Sequence, residues 1–422
     1  MSTATLHKEK KETLVPKLRF SEFHSEWKTE KFSVLLKEGR LGGNYENSES
    51  NIGIPVIKMG NLGRGEININ KVQFLPENIE YNNEDVLKKG DLLFNTRNTL
   101  ELVGKVSIWR EELPLALYNS NLMRMKFNSD IEPSNHFMNY NFNTKNSINQ
   151  LRRFATGTTS VAAIYGKDLK AFDITYPTLA EQQKIASFLS AVDEKIQQLS
   201  RKKVLLEQYK KGVMQQMFSG KLRFKNENGN DYPDWEEKKL GKVANRVIRK
   251  NKENNLNVLT ISAQLGLVNQ LEYFNKSVSA KDVTKYYLLE KNDFAYNKSY
   301  SNGYPMGAIK RLKKYDKGVV STLYICFCFS KMVSLNFMEH YFEFGLHNKE
   351  IEKVAQEGAR NHGLLNIGVN DFLDISLNLP SLIEQQKIAN FLSSIDKKIE
   401  STNQQIIQTQ TFKKGLLQQM FV

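Results

Sequence analysis

Residues 177–196 read PTLAEQQKIASFLSAVDEKI, and residues 380–399 read PSLIEQQKIANFLSSIDKKI. The likeness then fades and returns at the same offset of 203, where KKGVMQQMF from Lys210 is answered by KKGLLQQMF from Lys413. Between Pro177–Phe218 and Pro380–Phe421, 21 of 42 positions are identical, and the differing middle, Gln197–Tyr209 in the first copy, keeps its length in the second. Length kept while residues change marks a helical spacer, because rise per residue, not side-chain identity, sets its reach.

Each copy opens with a helix-start signal. Thr178 stands three residues before Glu181, and Ser381 three before Glu384, the S/T-x-x-E pattern of a capping box. The hydroxyl is expected to accept from the third helical amide while the glutamate reaches back to the cap. No proline follows before Phe218, where Ser219-Gly220 supplies a stop, and the second copy runs to the chain end. About 37 helical residues at ~1.5 Å each make a rod of roughly 55 Å.

The apolar spacing alternates threes and fours, as in a coiled coil. The first copy places Ile185, Leu189, Val192, Ile196, Leu199, Leu206, Val213 and Met217 in this register, and the second Ile388, Leu392, Ile395, Ile399, Ile406, Leu416 and Met420. Lys203, Lys210, Thr402, Thr409 and Lys413 take polar seats in it. The stretch STNQQIIQTQT (401–411) is a poor helix former and calls for a partner helix, so the two stripes are expected to pair with each other. Gly212 and Gly415 sit at equivalent places, where a kink or a close backbone approach is expected to offset the helix cost of glycine.

The regions between repeat more faintly. KLRF recurs at Lys17–Phe20 and Lys221–Phe224, each followed by an acidic-Trp pair, Glu26-Trp27 and Asp234-Trp235. KKGDLLFN (88–95) corresponds to EKNDFAYN (290–297), VGKV (103–106) to MGAI (306–309), HFMNYNF (136–142) to NFMEHYF (336–342), and GKDLKAFDI (166–174) to VNDFLDISL (369–377). The expected fold class is α+β: two globular mixed α/β bodies held apart by two long antiparallel coiled-coil helices, with pseudo-two-fold symmetry. Residues 1–14 read as a disordered terminus, 15–176 as the first body, 177–220 as the first spacer, 221–379 as the second body and 380–422 as the second spacer.

The chain has 422 residues and a formal charge of +14, a balance that favours polyanions, nucleic acid before acidic membrane surfaces. Seven basic and four acidic residues lie in Glu181–Phe218, and five and three in Glu384–Phe421, so most of the excess lies outside the spacers. The longest apolar run, Val319–Phe329, is too short to span a membrane. Cys326 and Cys328, the two cysteines, alternate in a strand-like run and read as buried thiols rather than a zinc site, which makes a reducing cytoplasm the expected location. The six histidines are scattered, with His340 and His347 seven apart on an expected helix, and no metal set emerges. Neither a phosphate loop nor a methyltransferase Asn/Asp-Pro-Pro-aromatic run is present. No residue is nominated as catalytic; the chain reads as one that binds and positions.

With two basic bodies, matched spacers ending in QQMF, and EQQKIA-x-FL opening each spacer, the chain resembles the specificity subunits of type I restriction–modification systems across essentially its whole length. The resemblance implies two target recognition domains that read a bipartite double-stranded DNA sequence, and no catalysis in the chain itself. It implies two adenine methyltransferase (modification) subunits and ATP-dependent restriction subunits as partners, which would hold S-adenosylmethionine, ATP and Mg. Heads that face the same groove side would read half-sites about one helical turn apart, ~34–36 Å. Inserting four residues into one spacer should then lengthen the unread gap.

Base readout favours Arg on guanine and Asn or Gln on adenine, while Lys and hydroxyls mostly hold phosphate. In the first body the candidates are Asn95, Thr96, Arg97 and Asn98 after the LLF strand, with Lys105 nearby, then Arg152, Arg153 and the loop containing Thr158 and Thr159. In the second they are Asn297, Lys298, Ser299 and Tyr300, then Arg360, Asn361 and His362, with Lys310, Arg311, Lys313 and Lys314 as a phosphate-tracking strip. Two other readings compete. A coiled-coil adaptor would bind no DNA sequence specifically, and a reader fused with a nuclease or methylase would modify DNA alone.

Overall fold

A computed structural model of the chain describes residues 14–46, 48–49, 51–128, 134–274, 282–355 and 365–422. The terminus before Leu14 and the candidates Arg360, Asn361 and His362 lie outside the described residues. The chain divides into two compact units, one formed by the residues up to Ser200 together with Gln404–Val422, the other by Arg201–Asn403. Each unit therefore contains one body and parts of both long helices, Leu179–Phe218 and Leu382–Gln419.

The first unit is built on a four-stranded antiparallel sheet in the order Leu36–Leu41, Leu122–Phe127, Leu92–Asn95, Val106–Ile108. All four residues of the LLFN strand are buried. Leu92 and Phe94 face the cluster of Trp27, Phe137 and Phe142, whereas Leu93 joins Trp109 and Tyr118 on the other side, as the two-residue period of a strand requires. Ser134 caps the helix Asn135–Asn141 by accepting a hydrogen bond from the Phe137 amide at 3.4 Å.

The second unit has the same plan. Its sheet runs Ala244–Arg246, Ile325–Phe329, Phe294–Asn297, Ala308–Arg311. Phe294 and Tyr296 face one cluster and Ala295 the other. Ser334 caps the helix Leu335–Glu343 through the Phe337 amide at 3.4 Å. Cys326 is buried in its strand, which pushes its thiol up to about 12. His340 and His347 are not on one helix, contrary to the sequence expectation. Gly345, with φ +79°, follows the first helix, and His347 precedes the next one, Asn348–Val354.

In the first unit the opening turns of the first long helix, with Ile185 and Leu189, pack against Leu416 and Met420 in the closing turns of the second. In the second unit Val213 and Met217 meet Ile388, Leu392 and Ile395. Within each unit the two segments thus run antiparallel. Every apolar residue placed in the coiled-coil register is buried or half-buried. The lysine seats are satisfied across the pair and the threonine seats within their own helix. Lys203 donates to Asn403 at 2.9 Å, Lys210 meets Asp396 at 2.6 Å and Lys413 meets Asp193 at 2.5 Å. Thr402 and Thr409 donate to carbonyls four residues back, at 2.8 and 2.7 Å.

The helix starts differ from the capping box in one respect. The Ser381 hydroxyl does accept from the Glu384 amide, at 3.4 Å. The glutamates, however, turn away from the cap: Glu181 accepts from Arg19 of the first KLRF and Glu384 from Arg223 of the second. A buried carboxylate gains more from a guanidinium fork than from one backbone amide. The next residue ties the body to the helix. Gln182 donates to the Pro177 carbonyl at 3.0 Å and accepts from the Ser134 amide at 2.9 Å; Gln385 repeats this with Pro380 and Ser334 at 2.9 and 2.8 Å. The P-x-L-x-E-Q-Q motif is therefore a three-way joint.

The far helix ends close the same joint. Phe421 stacks on Phe137 at 5.3 Å and meets Trp27 edge-on at 6.0 Å, while Phe218 meets Phe337 at 6.0 Å and Trp235 at 6.4 Å. The Leu18 amide donates to the Gln419 carbonyl at 2.9 Å, as the Leu222 amide does to Gln216 at 3.1 Å. The first KLRF thus sits on the end of the second long helix without a covalent link, in the arrangement the second KLRF adopts by following the first long helix directly.

Candidate nucleic-acid interface

In the first unit a small antiparallel sheet, ordered Thr156–Gly157, Ala162–Ala163, Arg97–Asn98, brings the post-strand loop beside the glycine-hydroxyl loop. The Leu100 amide donates to Thr159 and the Ile164 amide to Thr96, at 3.1 and 3.0 Å. Two candidate segments distant in sequence therefore form one surface. Gly157 is needed there: its φ is +122°, and a Cβ would lie 2.4 Å from the Val161 carbonyl oxygen. The tip is set by the Val161 amide donating to the Thr158 hydroxyl at 3.2 Å, and Thr158 and Thr159 are exposed.

Arg97, Arg152 and Arg153 are exposed, and no carboxylate pairs with any of them among the described residues. Arg152 and Arg153 close the helix Lys145–Phe154, where its dipole also favours cations. Behind them lies Arg64, which sequence reasoning missed. It is half-buried, donates to the Glu101 carbonyl at 3.3 Å and has a second guanidinium nitrogen buried without a partner. Burial first, and then the charge of Arg152, lowers its pKa. Lys105 donates to the Leu62 carbonyl at 3.0 Å, and burial followed by the charge of Arg64 lowers its pKa as well. Arg64, Lys105 and Arg152 thus form a chain of like charges, repulsive alone and relieved by an anion. The available signal was the glycine flanking in Gly63-Arg64-Gly65, which frees backbone for a turn.

Other candidates are turned inward. Asn95 is completely buried, and its side-chain oxygen accepts from the Arg97 amide at 3.1 Å. Asn297 does the same for the Ser299 amide at 3.1 Å. Both shape the turn that ends the strand, and Asn95 offers no atom to a ligand in this structure. The Asn98 oxygen accepts from the neighbouring Thr99 amide at 2.8 Å, and the Thr96 hydroxyl donates to Asn121 at 2.9 Å.

In the second unit Tyr300 is 63% exposed, Ser299 is half-buried, and Lys298 donates to the Ile367 carbonyl at 3.5 Å. The expected phosphate-tracking strip is not a row of free cations. Lys310 meets Glu343 and the Tyr304 hydroxyl, Lys313 meets Glu339 at 2.9 Å and Lys314 meets Glu272 at 2.8 Å. Arg311 donates to Asn336 at 2.7 Å and to Asn292 at 3.0 Å. The strip lines a cavity of about 920 Å³ whose wall, with Lys210 and Lys397 added, carries six cations against Glu339, Glu343 and Asp396. The wall remains net positive, but its charges are mostly committed to internal pairs.

Over residues 34–208 and 232–410 the chain matches the family model described as the type I restriction modification DNA specificity domain. The putative MjaX specificity subunit of Methanocaldococcus jannaschii is 29% identical over 244 residues, which span 55% of this chain and 56% of that protein. The EcoKI specificity subunit of Escherichia coli K12 is 28% identical over 168 residues, spanning 39% and 36%. The chain thus spans about half or less of the length of these curated relatives. Among solved structures, the type I S subunit of M. genitalium superimposes with a TM-score of 0.57 at 15% identity, covering 97% of this chain and 99% of that one. A chain from a structure concerned with assembly and conformational transition of a type I system gives 0.52 at 14% identity, covering 94% and 97%. At these identities the structural likeness is one of fold.

Proposed function

The chain belongs to the type I restriction–modification DNA specificity family, and on that premise we propose that it is a specificity subunit reading a bipartite double-stranded DNA target. The observation that carries this reading is that the family domain occurs twice, once for each body. Two bodies of one fold with different exposed loops suit two different half-sites. In the first body Arg97 and the Thr158–Thr159 tip are proposed to approach bases, with Arg152, Arg153, Arg64 and Lys105 drawing in the phosphates. In the second, Tyr300, Ser299 and Lys298 hold the corresponding loop, and Arg360, Asn361 and His362 remain proposed contacts. Lys310 and Arg311, already paired, would serve mainly to hold the body's shape.

Catalysis is assigned to partners. Two modification subunits would methylate adenine with S-adenosylmethionine, and restriction subunits would cleave with ATP and Mg, all in the cytoplasm. Sequencing the methylome of cells that express this chain with its modification subunit tests the reading. A single split motif with a fixed unread gap is expected. Methylation independent of this chain, or of unsplit sites, would sink it and favour an adaptor role.

A further inference from the structure

The two bodies treat one corner of their common fold differently. In the first unit the turn 63–66 is bonded down over the sheet and the helix Asn135–Asn141. The Ser107 hydroxyl donates to the Gly63 and Glu66 carbonyls at 3.1 and 2.9 Å. The Asn139 side chain and the Arg110 guanidinium both donate to the Gly65 carbonyl at 3.1 Å, and the Gly65 amide donates to Val106 at 2.8 Å. Apart from Arg110, the seal is made of neutral groups.

The second unit replaces that seal with charge. By strand pairing and by sequence, Ser107 answers to Lys310, Arg110 to Lys313, Asn139 to Glu339 and Asn143 to Glu343. A carboxylate has no hydrogen to give to a turn carbonyl. The hairpin at this corner, Leu259–Ser262 with Gly266–Asn269, leaves room beneath its tip, where residues 264–267 line the cavity of about 920 Å³ together with Glu339 and Glu343. Lys210 and Lys397 of the long helices line it too, and all these residues belong to the second unit.

Six cations and three carboxylates leave the wall at +3, with His340 neutral because burial, and then the charge of Lys210, lower its pKa to about 4. Lys397 is exposed and has no acidic partner among the described residues. The Lys313 and Lys314 side chains are 59 and 57% exposed, and exposed ion pairs like theirs are weak enough to be exchanged for a more highly charged anion.

We propose that this cavity binds a compact phosphate chain, that of a nucleoside polyphosphate, with Lys397, Lys313 and Lys314 on the phosphates, and that the ligand ties the second body to its long helices. A multiply charged anion complements the wall, and the volume lies within the ~300–1,000 Å³ of small-ligand sites, whereas a duplex could only lie across the mouth. Leu265, 67% exposed at the hairpin tip, offers apolar surface to a base. Lys310 and Arg311 stay with their internal partners and contribute fixed positive charge. This site lies outside the DNA contacts proposed above and is independent of them.

The test titrates the full chain, without DNA, with inorganic tripolyphosphate, GTP and CTP, read by calorimetry and by melting. One ligand per chain is expected, with a raised melting temperature because the ligand binds only the folded state. Lys397→Glu, at an exposed helix position that leaves the fold intact, and Lys313→Glu should each weaken binding by about tenfold or more. Glu339→Gln releases Lys313 and should tighten binding by roughly threefold, although it removes an ion pair, which a purely structural role for that pair does not produce. Absence of saturable binding, or binding indifferent to Lys397→Glu and Lys313→Glu, overturns the proposal. Competitive displacement of tripolyphosphate by the chain's own target duplex overturns it equally, since the cavity would then belong to the DNA surface.

Discussion

The Arg19 guanidinium grips the Glu181 carboxylate through two parallel hydrogen bonds, Nε to Oε1 at 2.8 Å and Nη2 to Oε2 at 2.7 Å. Arg223 holds Glu384 in the same way at 3.1 and 2.8 Å. The glutamates are 1% and 0% exposed, and each arginine also donates to a backbone carbonyl, of Ser25 and Pro233 respectively. The pair therefore clamps the start of a long helix to the KLRF segment beside it, and a buried carboxylate left alone would be costly.

Arg19→Met should destabilise the chain by roughly 3 kcal/mol, because breaking one side of a buried pair leaves an uncompensated charge. Guanidinium unfolding would show a lower midpoint. The double variant Arg19→Met with Glu181→Met should recover part of that loss, and a strictly additive double variant would contradict the clamp.

Phe421→Ala should cost about 3 kcal/mol, since the ring is buried against Trp27 and Phe137 and its removal leaves a cavity at the closing joint. The same measurement serves, with circular dichroism to show that helix content survives.

Acid should weaken the second unit through His340. Burial first, and then the charge of Lys210, lowers its pKa to about 4. A base whose folded pKa is depressed favours the folded state while neutral. This contribution is complete above the unfolded pKa of about 6.5 and fades as pH falls towards 4. In the first unit the equivalent place is held by Tyr140, which donates to Asp193 at 2.8 Å. His340→Tyr should therefore flatten the fall in melting temperature between pH 6.5 and 4. An unchanged slope would remove His340 from the account.

Arg152→Ala should weaken DNA binding across sequences and lower the salt slope of the binding constant by about one, as loss of one phosphate contact does. Arg97→Ala should instead relax one half-site by about 1–3 kcal/mol. Asn95→Ala should lower stability and leave sequence preference unchanged. Filter retention on target and scrambled duplexes at several salt concentrations separates the three.

Gly157→Ala should perturb the loop locally, because φ +122° and the Val161 carbonyl both exclude a Cβ. Loss of one half-site with a melting temperature lowered by only a few degrees is expected in the same retention assay.

Local and periodic features are written in the chain: two long helices with one register, the LLFN and FAYN strands, and the correspondence of the two bodies. Helical rise, heptad spacing and strand alternation act over a few residues, so neighbouring side chains alone set them. Tertiary structure alone decided where the side chains of that pattern go. Glu181 left its expected cap for an arginine 162 residues away, and Lys310, Lys313 and Lys314 found carboxylates on other elements instead of remaining free. Asn95 turned inward, and Arg64 joined a cationic cluster that no spacing announced. A buried charge takes whichever partner the packed fold brings within hydrogen-bond reach, and that distance is a property of the fold and not of the chain order.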